Sequence, residues 1–158
     1  MSDNGEMTKE ETRELTGAQA LIKSVEMEKL EDIFGLPGGS ILPVYDPLID
    51  SSVRHILVRH EQGAGHMASG YAHATGRPGV AMVTSGPAAT NIVTPLCDPY
   101  MDSFPIAVSP GLAAESVLRQ SPSQDCATVG QPTPVHPQTR SVTPPHVHPR
   151  ELAGSLHR

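Results

Sequence analysis

Several things are scarce in this sequence, and each scarcity excludes something. Its 158 residues contain two cysteines, Cys97 and Cys126, and no tryptophan. Two cysteines make no disulfide framework for a domain of this size, which points to a reducing compartment and a cytoplasmic chain. No stretch approaches the roughly 18 consecutive apolar residues that a membrane helix needs, so no membrane span is expected. Basic residues are few: 11 Lys and Arg stand against 17 Asp and Glu, a formal charge of −6. That balance argues against a general nucleic-acid binder, whose affinity comes from neutralised phosphates. The first 14 residues carry five acids and two bases. This is the opposite of a signal or transit peptide, and the segment reads as a solvated, disordered arm.

Two common site patterns are also missing. The eight histidines (His55, His60, His66, His73, His136, His146, His148 and His157) form no compact zinc-ligand spacing, so no metal site is assigned. Thr84 to Asn91 lacks the Gly-Lys-Ser/Thr ending of a phosphate-binding P-loop, although its helix start can still offer backbone N–H groups to a ligand. There is no internal repeat.

What is present divides the chain in two. Of the 16 prolines, nine lie at or after Pro105, and seven fall between Ser121 and Arg150, a stretch without Leu, Ile, Met, Phe or Tyr. Such a segment has little apolar surface to offset the entropy of ordering. Residues 15–110 are expected to be globular and 111–158 a Pro-rich, poorly ordered tail.

In the globular part Thr16 caps a helix, with Gln19 completing a capping box, Leu15 stapling onto Ala20, and Leu21, Ile22, Val25 and Met27 as its apolar stripe. Apolar strands follow at 32–34, 54–58, 80–83 and 105–108. Helices are expected over 40–49, 61–75 and 86–100, the first of them interrupted by Pro43 and Pro47. Gly63, Gly65, Ala68 and Ala72 give helix 61–75 a face for close packing. Strands apolar throughout, alternating with helices, imply an α/β fold with a parallel sheet covered on both faces. Ligands in such folds sit beyond the C-terminal strand ends, where the loops 35–39, 59–63 and 84–88 lie.

Taken singly, Gly38-Gly39 is a tight turn and Glu61 an acid favoured by a helix dipole. Their order carries more. Phe34-Gly35-Leu36-Pro37-Gly38-Gly39, Ile41-Leu42-Pro43, Arg59-His60-Glu61-Gln62-Gly63-Ala64, Gly70 to Gly76, Thr84 to Asn91 and Met101-Asp102-Ser103 together resemble the N-terminal pyrimidine-binding domain of thiamine-diphosphate enzymes. Within that group the chain is most similar to the large catalytic subunit of the acetolactate synthase family. The likeness runs from about Leu15 to Ile106, thins to Gly130 and then vanishes.

The resemblance implies a site. Glu61 would hydrogen-bond N1′ of the cofactor's aminopyrimidine, so that the opposed 4′-amino group becomes the base that deprotonates the thiazolium. Leu36, Pro37 and Gly38 match one loop along that ring; Thr84, Pro87 and Asn91 match a second. Gln124 falls at the spacing of an active-site glutamine. Gly63, Ala64 and Ile41 would make the surroundings of Glu61 dry. The substrate implied is a 2-keto acid, two pyruvates or pyruvate plus 2-ketobutyrate, condensed with decarboxylation for branched-chain amino-acid synthesis. The resemblance also implies a homodimer through the helix bearing Glu61, and a regulatory small subunit. It implies Mg2+ and FAD as well, whose binding domains are expected to be absent, since no Gly-Asp-Gly occurs.

Departures from the family pattern set further expectations. Ala88 replaces a glycine and would crowd a turn or the ring, and Pro110 would damage a strand end. Matching spacing with mismatched residues after Ile106 suggests a disturbed reading frame. The chain is expected to be an incomplete domain, an N-terminal fragment inactive by itself. A frame-disrupted remnant and a fragment of another thiamine-diphosphate enzyme, such as pyruvate oxidase, stay open as alternatives.

Overall fold

The computed structural model describes residues 15–111, so the readings for the arm 1–14 and for the tail beyond Gly111, Gln124 among them, lie outside the described residues. The capping box forms at Thr16: its Oγ1 accepts the Gln19 N–H at 3.2 Å, and the Gln19 side chain accepts the Thr16 N–H at 3.0 Å. It starts α1 (Gly17–Met27), which buries Ile22, Ser24 and Val25. Met27, expected in the apolar stripe, is 73% exposed, and Leu15 is 54% exposed. Met27 lies about 140° around the helix from Ile22, off the buried stripe, and Leu15 stays largely in solvent beside the capping box.

The first strand, β1 (Asp32–Leu36), outruns its expected end at Phe34. Gly35 and Leu36 are strand residues because each pairs with β3, Gly35 opposite Met82 and Leu36 opposite Val83. Next come α2 (Leu42–Ile49), β2 (Arg54–Leu57), α3 (Glu61–Thr75) and β3 (Gly79–Val83). Helix α2 is continuous: Pro43 sits in its first turn, where an N–H has no intrahelical partner, and Pro47 is accommodated inside it. The helix expected over 86–100 is two helices, α4 (Pro87–Asn91) and α5 (Val93–Asp102). Pro95 has no N–H to give the Asn91 carbonyl, so an unbroken helix would lose a bond at that point.

The last element, β4 (Ile106–Pro110), contains the proline expected to spoil it. Gly111 N donates to Val83 O at 2.8 Å, so the β4 amide one residue earlier would face away from β3. Proline at that position costs no ladder bond, which is where edge strands tolerate it.

The four strands are all parallel, in the order β2-β1-β3-β4. Period-two alternation splits the core into two layers. Ile33, Val80, Met82 and Ala107 pack with Ile22, Val25, Ile41, Tyr45 and Leu48 of the α1–α2 side. Phe34, Ala81, Val83 and Ile106 pack with Ala64, Ala68, Ala88, Ile92 and Leu96 of the α3–α5 side. Both faces of the sheet are thus covered, as the continuous apolar strands imply. Helix α3 comes close through small residues: a Cβ at Gly65 would run into Pro95, and one at Gly79 into the Ala68 backbone. Gly63 takes no part in this packing, since open space faces it.

Candidate functional site

The C-terminal ends of β1, β2 and β3 lie side by side, and the loops leaving them carry the residues singled out by sequence. Glu61 opens α3. His60 caps that helix, its Nδ1 accepting the Gln62 N–H at 3.1 Å. The Glu61 carboxylate is half-buried, and its Oε2 accepts a hydrogen bond from Asn91 Nδ2 at 3.0 Å. Asn91 ends α4, which packs on α3. Two residues 30 apart in sequence are thereby joined. The amide orients the carboxylate and leaves Oε1 for an incoming donor.

The second grouping joins β1 to β3. Leu36 is half-buried and pairs with Val83, and Pro37 is exposed beyond it. Gly38 must be glycine on steric grounds, because a Cβ there would stand 2.5 Å from Thr84 Cγ2 and 2.9 Å from Thr84 Oγ1. Ser40 Oγ lies 2.7 Å from Thr84 Oγ1 and 2.9 Å from Ser85 Oγ. The turn then passes through Gly86 at φ 71°, a left-handed value that suits glycine, into Pro87 at the exposed first position of α4.

Ala88, expected to crowd this turn, is 4% exposed and packs in the core with Phe34 and Ile92. Its methyl points into the α3–α5 layer, so the turn is not crowded by it. The dry wall expected around Glu61 is also revised: Ile41 and Ala64 are both buried, but in opposite layers of the fold.

Beneath the β1 end lies a buried polar group that sequence reasoning passed over. Tyr45 OH donates to Met82 O at 2.9 Å, and the His55 ring meets the Tyr45 ring edge-on at 4.9 Å. The His55 Nε2 is buried without a hydrogen-bond partner among the described residues. Burial holds this imidazole below its ordinary value of 6.5, the nearby Gly35 backbone offsetting part of the effect. Burial also pushes the Tyr45 hydroxyl well above its usual range. Ser40 and Ser85 were missed as well. The only local signal is a hydroxyl in each of two loops at strand ends, and nothing local pairs them.

Among the described residues no group of three or more His, Cys, Asp or Glu could hold a metal ion. Nor is any helix among them long and apolar enough to cross a membrane.

A parallel sheet with a carboxylate at a helix start and two loops meeting over adjacent strand ends fits the pyrimidine-binding half of a cofactor site. Comparison with known proteins agrees. The family described as "Thiamine pyrophosphate enzyme, N-terminal TPP binding domain" matches residues 15–129, and the chain belongs to this family. Acetolactate synthase of Mycobacterium bovis is 51% identical over 146 residues, 92% of this chain and 24% of that protein. The acetolactate synthase large subunit of Corynebacterium glutamicum is 47% identical over 144 residues, 90% of this chain and 23% of its own length. The mitochondrial acetolactate synthase catalytic subunit of Saccharomyces cerevisiae is 46% identical over 117 residues, 73% of this chain and 17% of its own. The chain therefore spans about a quarter or less of the relatives it matches. A match covering 92% of the chain runs past Gly130, which corrects the expectation that the likeness vanishes there.

Proposed function

We propose that this chain supplies the pyrimidine-binding part of an acetolactate synthase, with residues 15–110 as the binding domain. The observation that carries the reading is the Glu61–Asn91 pair at the mouth of the sheet, with one carboxylate oxygen held by the amide and the other open. Bound thiamine diphosphate supplies an electron sink for decarboxylating a 2-keto acid. Glu61 holds and exchanges a proton at the ring nitrogen N1′, and Asn91 fixes the angle of its carboxylate. Leu36, Pro37 and Gly38 would hold the ring from the β1–α2 loop, and Thr84, Pro87 and Asn91 from the β3–α4 segment. The family match and the absence of a side chain at Gly38, where Thr84 closes in, support this fit. Gln124, outside the described residues, is proposed as a second catalytic side chain. Among the described residues no group of three or more His, Cys, Asp or Glu could hold Mg2+, and no step is assigned to Mg2+ or FAD.

The substrates proposed are two pyruvates, or pyruvate with 2-ketobutyrate, in a cytoplasmic pathway to branched-chain amino acids. Helix α3 is proposed to pair with α3 of a second copy, so that Glu61 serves the partner's cofactor, and a regulatory subunit is proposed to bind the assembled enzyme. Support for the pairing comes from the outer side of α3, where Gly63, Met67 and Gly70 share one face and open space faces both glycines. The test is thiamine binding, measured by NMR titration of the chain. Glu61→Gln should weaken it about 10- to 100-fold, the value of a charge-assisted hydrogen bond. Equal affinity for wild type and variant would remove Glu61 from the site.

A further inference from the structure

The serine after Gly39 has a hydrogen-bonding count that its neighbours fill completely. Ser40 Oγ lies within bonding distance of Thr84 Oγ1 (2.7 Å) and Ser85 Oγ (2.9 Å), and it accepts the Ser85 backbone N–H in a longer bond of 3.4 Å. A serine hydroxyl has one proton and two lone pairs. The amide can only donate, so it takes one lone pair. Ser40 must then donate to one of the two hydroxyls and accept from the other. Of the three hydroxyl protons, two are used within the cluster. The third, on Thr84 or on Ser85, is left to donate outward.

Thr84 is held from its other side as well. Its Cγ2 and Oγ1 close over Gly38, where a Cβ would stand 2.5 and 2.9 Å from them. Gly38 thus stands close to both the methyl and the hydroxyl of Thr84, and Ser40 bonds the hydroxyl, so two residues of the β1–α2 loop restrict its rotamer. The Gly38 carbonyl is itself tied down, accepting the Ile41 and Leu42 amides at 3.0 and 3.1 Å.

We propose that Ser40 is a positioning residue. It latches the β1–α2 loop to the β3–α4 loop and aims the one free hydroxyl proton of the Thr84–Ser85 pair at a hydrogen-bond acceptor on a bound nitrogen heterocycle. The identity of that ligand rests on the pyrimidine-binding reading; the latch does not.

The experiment uses the full chain, with amide hydrogen exchange followed by NMR and thiamine as the ligand probe. Ser40→Ala removes the acceptor of the Ser85 amide. Exchange should rise about fivefold or more at Ser85 and at Ile41 and Leu42, the loss expected for one hydrogen bond. The Val58 amide, bonded to Gly35 O at 3.0 Å outside the latch, should not change. Thr84→Val should loosen Ile41 and Leu42 in the same way, and Thr84→Ser, which keeps the hydroxyl, should restore them. The double variant should be no looser than the looser single one. Unchanged exchange at Ser85 in Ser40→Ala, or additive effects in the double variant, would overturn the latch. At a temperature where all variants are folded, Ser40→Ala should weaken thiamine binding severalfold. Loosened loops with wild-type affinity would overturn the positioning role. A wild-type chain that ignores thiamine would overturn the ligand assignment together with the pyrimidine-binding reading, while the exchange data still decide the latch.

Discussion

Alanine at Gly35 probes the packing directly beneath the Leu36-Pro37-Gly38 loop. Gly35 lies inside β1, paired with Leu57 on one side and Met82 on the other. A Cβ at this position runs into the Tyr45 hydroxyl and would stand 2.5 Å from Met82 O and 3.3 Å from His55 Nε2. Tyr45 can move aside only by giving up its 2.9 Å bond to Met82 O. Met82 O cannot retreat, because β3 is paired on both sides. Two costs therefore combine: overpacking by one methyl, about 1–3 kcal/mol, and a lost buried hydrogen bond, about 1–2 kcal/mol. Stiffening of the unfolded chain returns about 0.4–1 kcal/mol. The expected net loss is about 3 kcal/mol, a large share of the roughly 5–15 kcal/mol available to a domain. Tyr45→Phe alone should cost only the hydrogen bond, about 1–2 kcal/mol. In the Tyr45→Phe background the hydroxyl is already gone, so Gly35→Ala should cost about 1 kcal/mol less than in wild type, a coupling usual for residues in contact. Urea unfolding followed by circular dichroism measures all four corners of the cycle, with the slope checked for constancy. A Gly35→Ala variant within about 0.5 kcal/mol of wild type, the range of an innocuous surface change, would refute the packing argument. Strict additivity would refute the role given to Tyr45.

Other consequences are open to the same measurements. His55 has its imidazole held below 6.5 by burial, so the folded state binds its proton less readily than the unfolded chain. The stability this contributes is complete above about 6.5 and is lost as pH falls from there toward the lower folded value; His55→Leu should flatten that part of the stability–pH curve, and an unchanged slope would show that His55 is not its source. Thr16→Ala removes the side-chain half of the α1 capping box and should lower stability by about 1 kcal/mol, read as a shift in urea midpoint, whereas Thr16→Ser should be close to neutral. Arg54→Gln should destabilise the sheet more than Asp32→Asn, because losing the guanidinium 2.6 Å away leaves the 8% exposed Asp32 carboxylate charged and unpaired, whereas the 72% exposed Arg54 side chain stays solvated when its partner is neutralised; equal effects on the urea midpoint would contradict this asymmetry.

The strands and most helices were legible because their signals are local. Ile33-Phe34 and Val80 to Val83 are apolar at every position, which suits a strand buried on both faces, and both faces are buried. Where local reading failed, a neighbour had decided the outcome. Gly35 and Leu36 look like the start of a loop but are strand residues, because β3 lies alongside to pair with them. Pro110 looks like a strand breaker, but its register turns the missing N–H away from β3. Ala88 looks like an obstruction in a turn, yet helix α4 rotates its methyl into the core.

The site divides along the same line. Glu61 and Asn91 carried recognisable motifs, but their bond follows from α4 packing on α3. Ser40 had no motif of its own. Its partners lie 44 and 45 residues away, and the loops meet only because β3, rather than β2, lies between β1 and β4 in the sheet. With β1 and β3 apart, Gly38 would be free to carry a side chain and Thr84 would choose its rotamer in solvent. The strand order thus brings two ordinary turns together over the β1 and β3 ends, and β2, which borders β1 on the other side, leads into the helix that Glu61 opens.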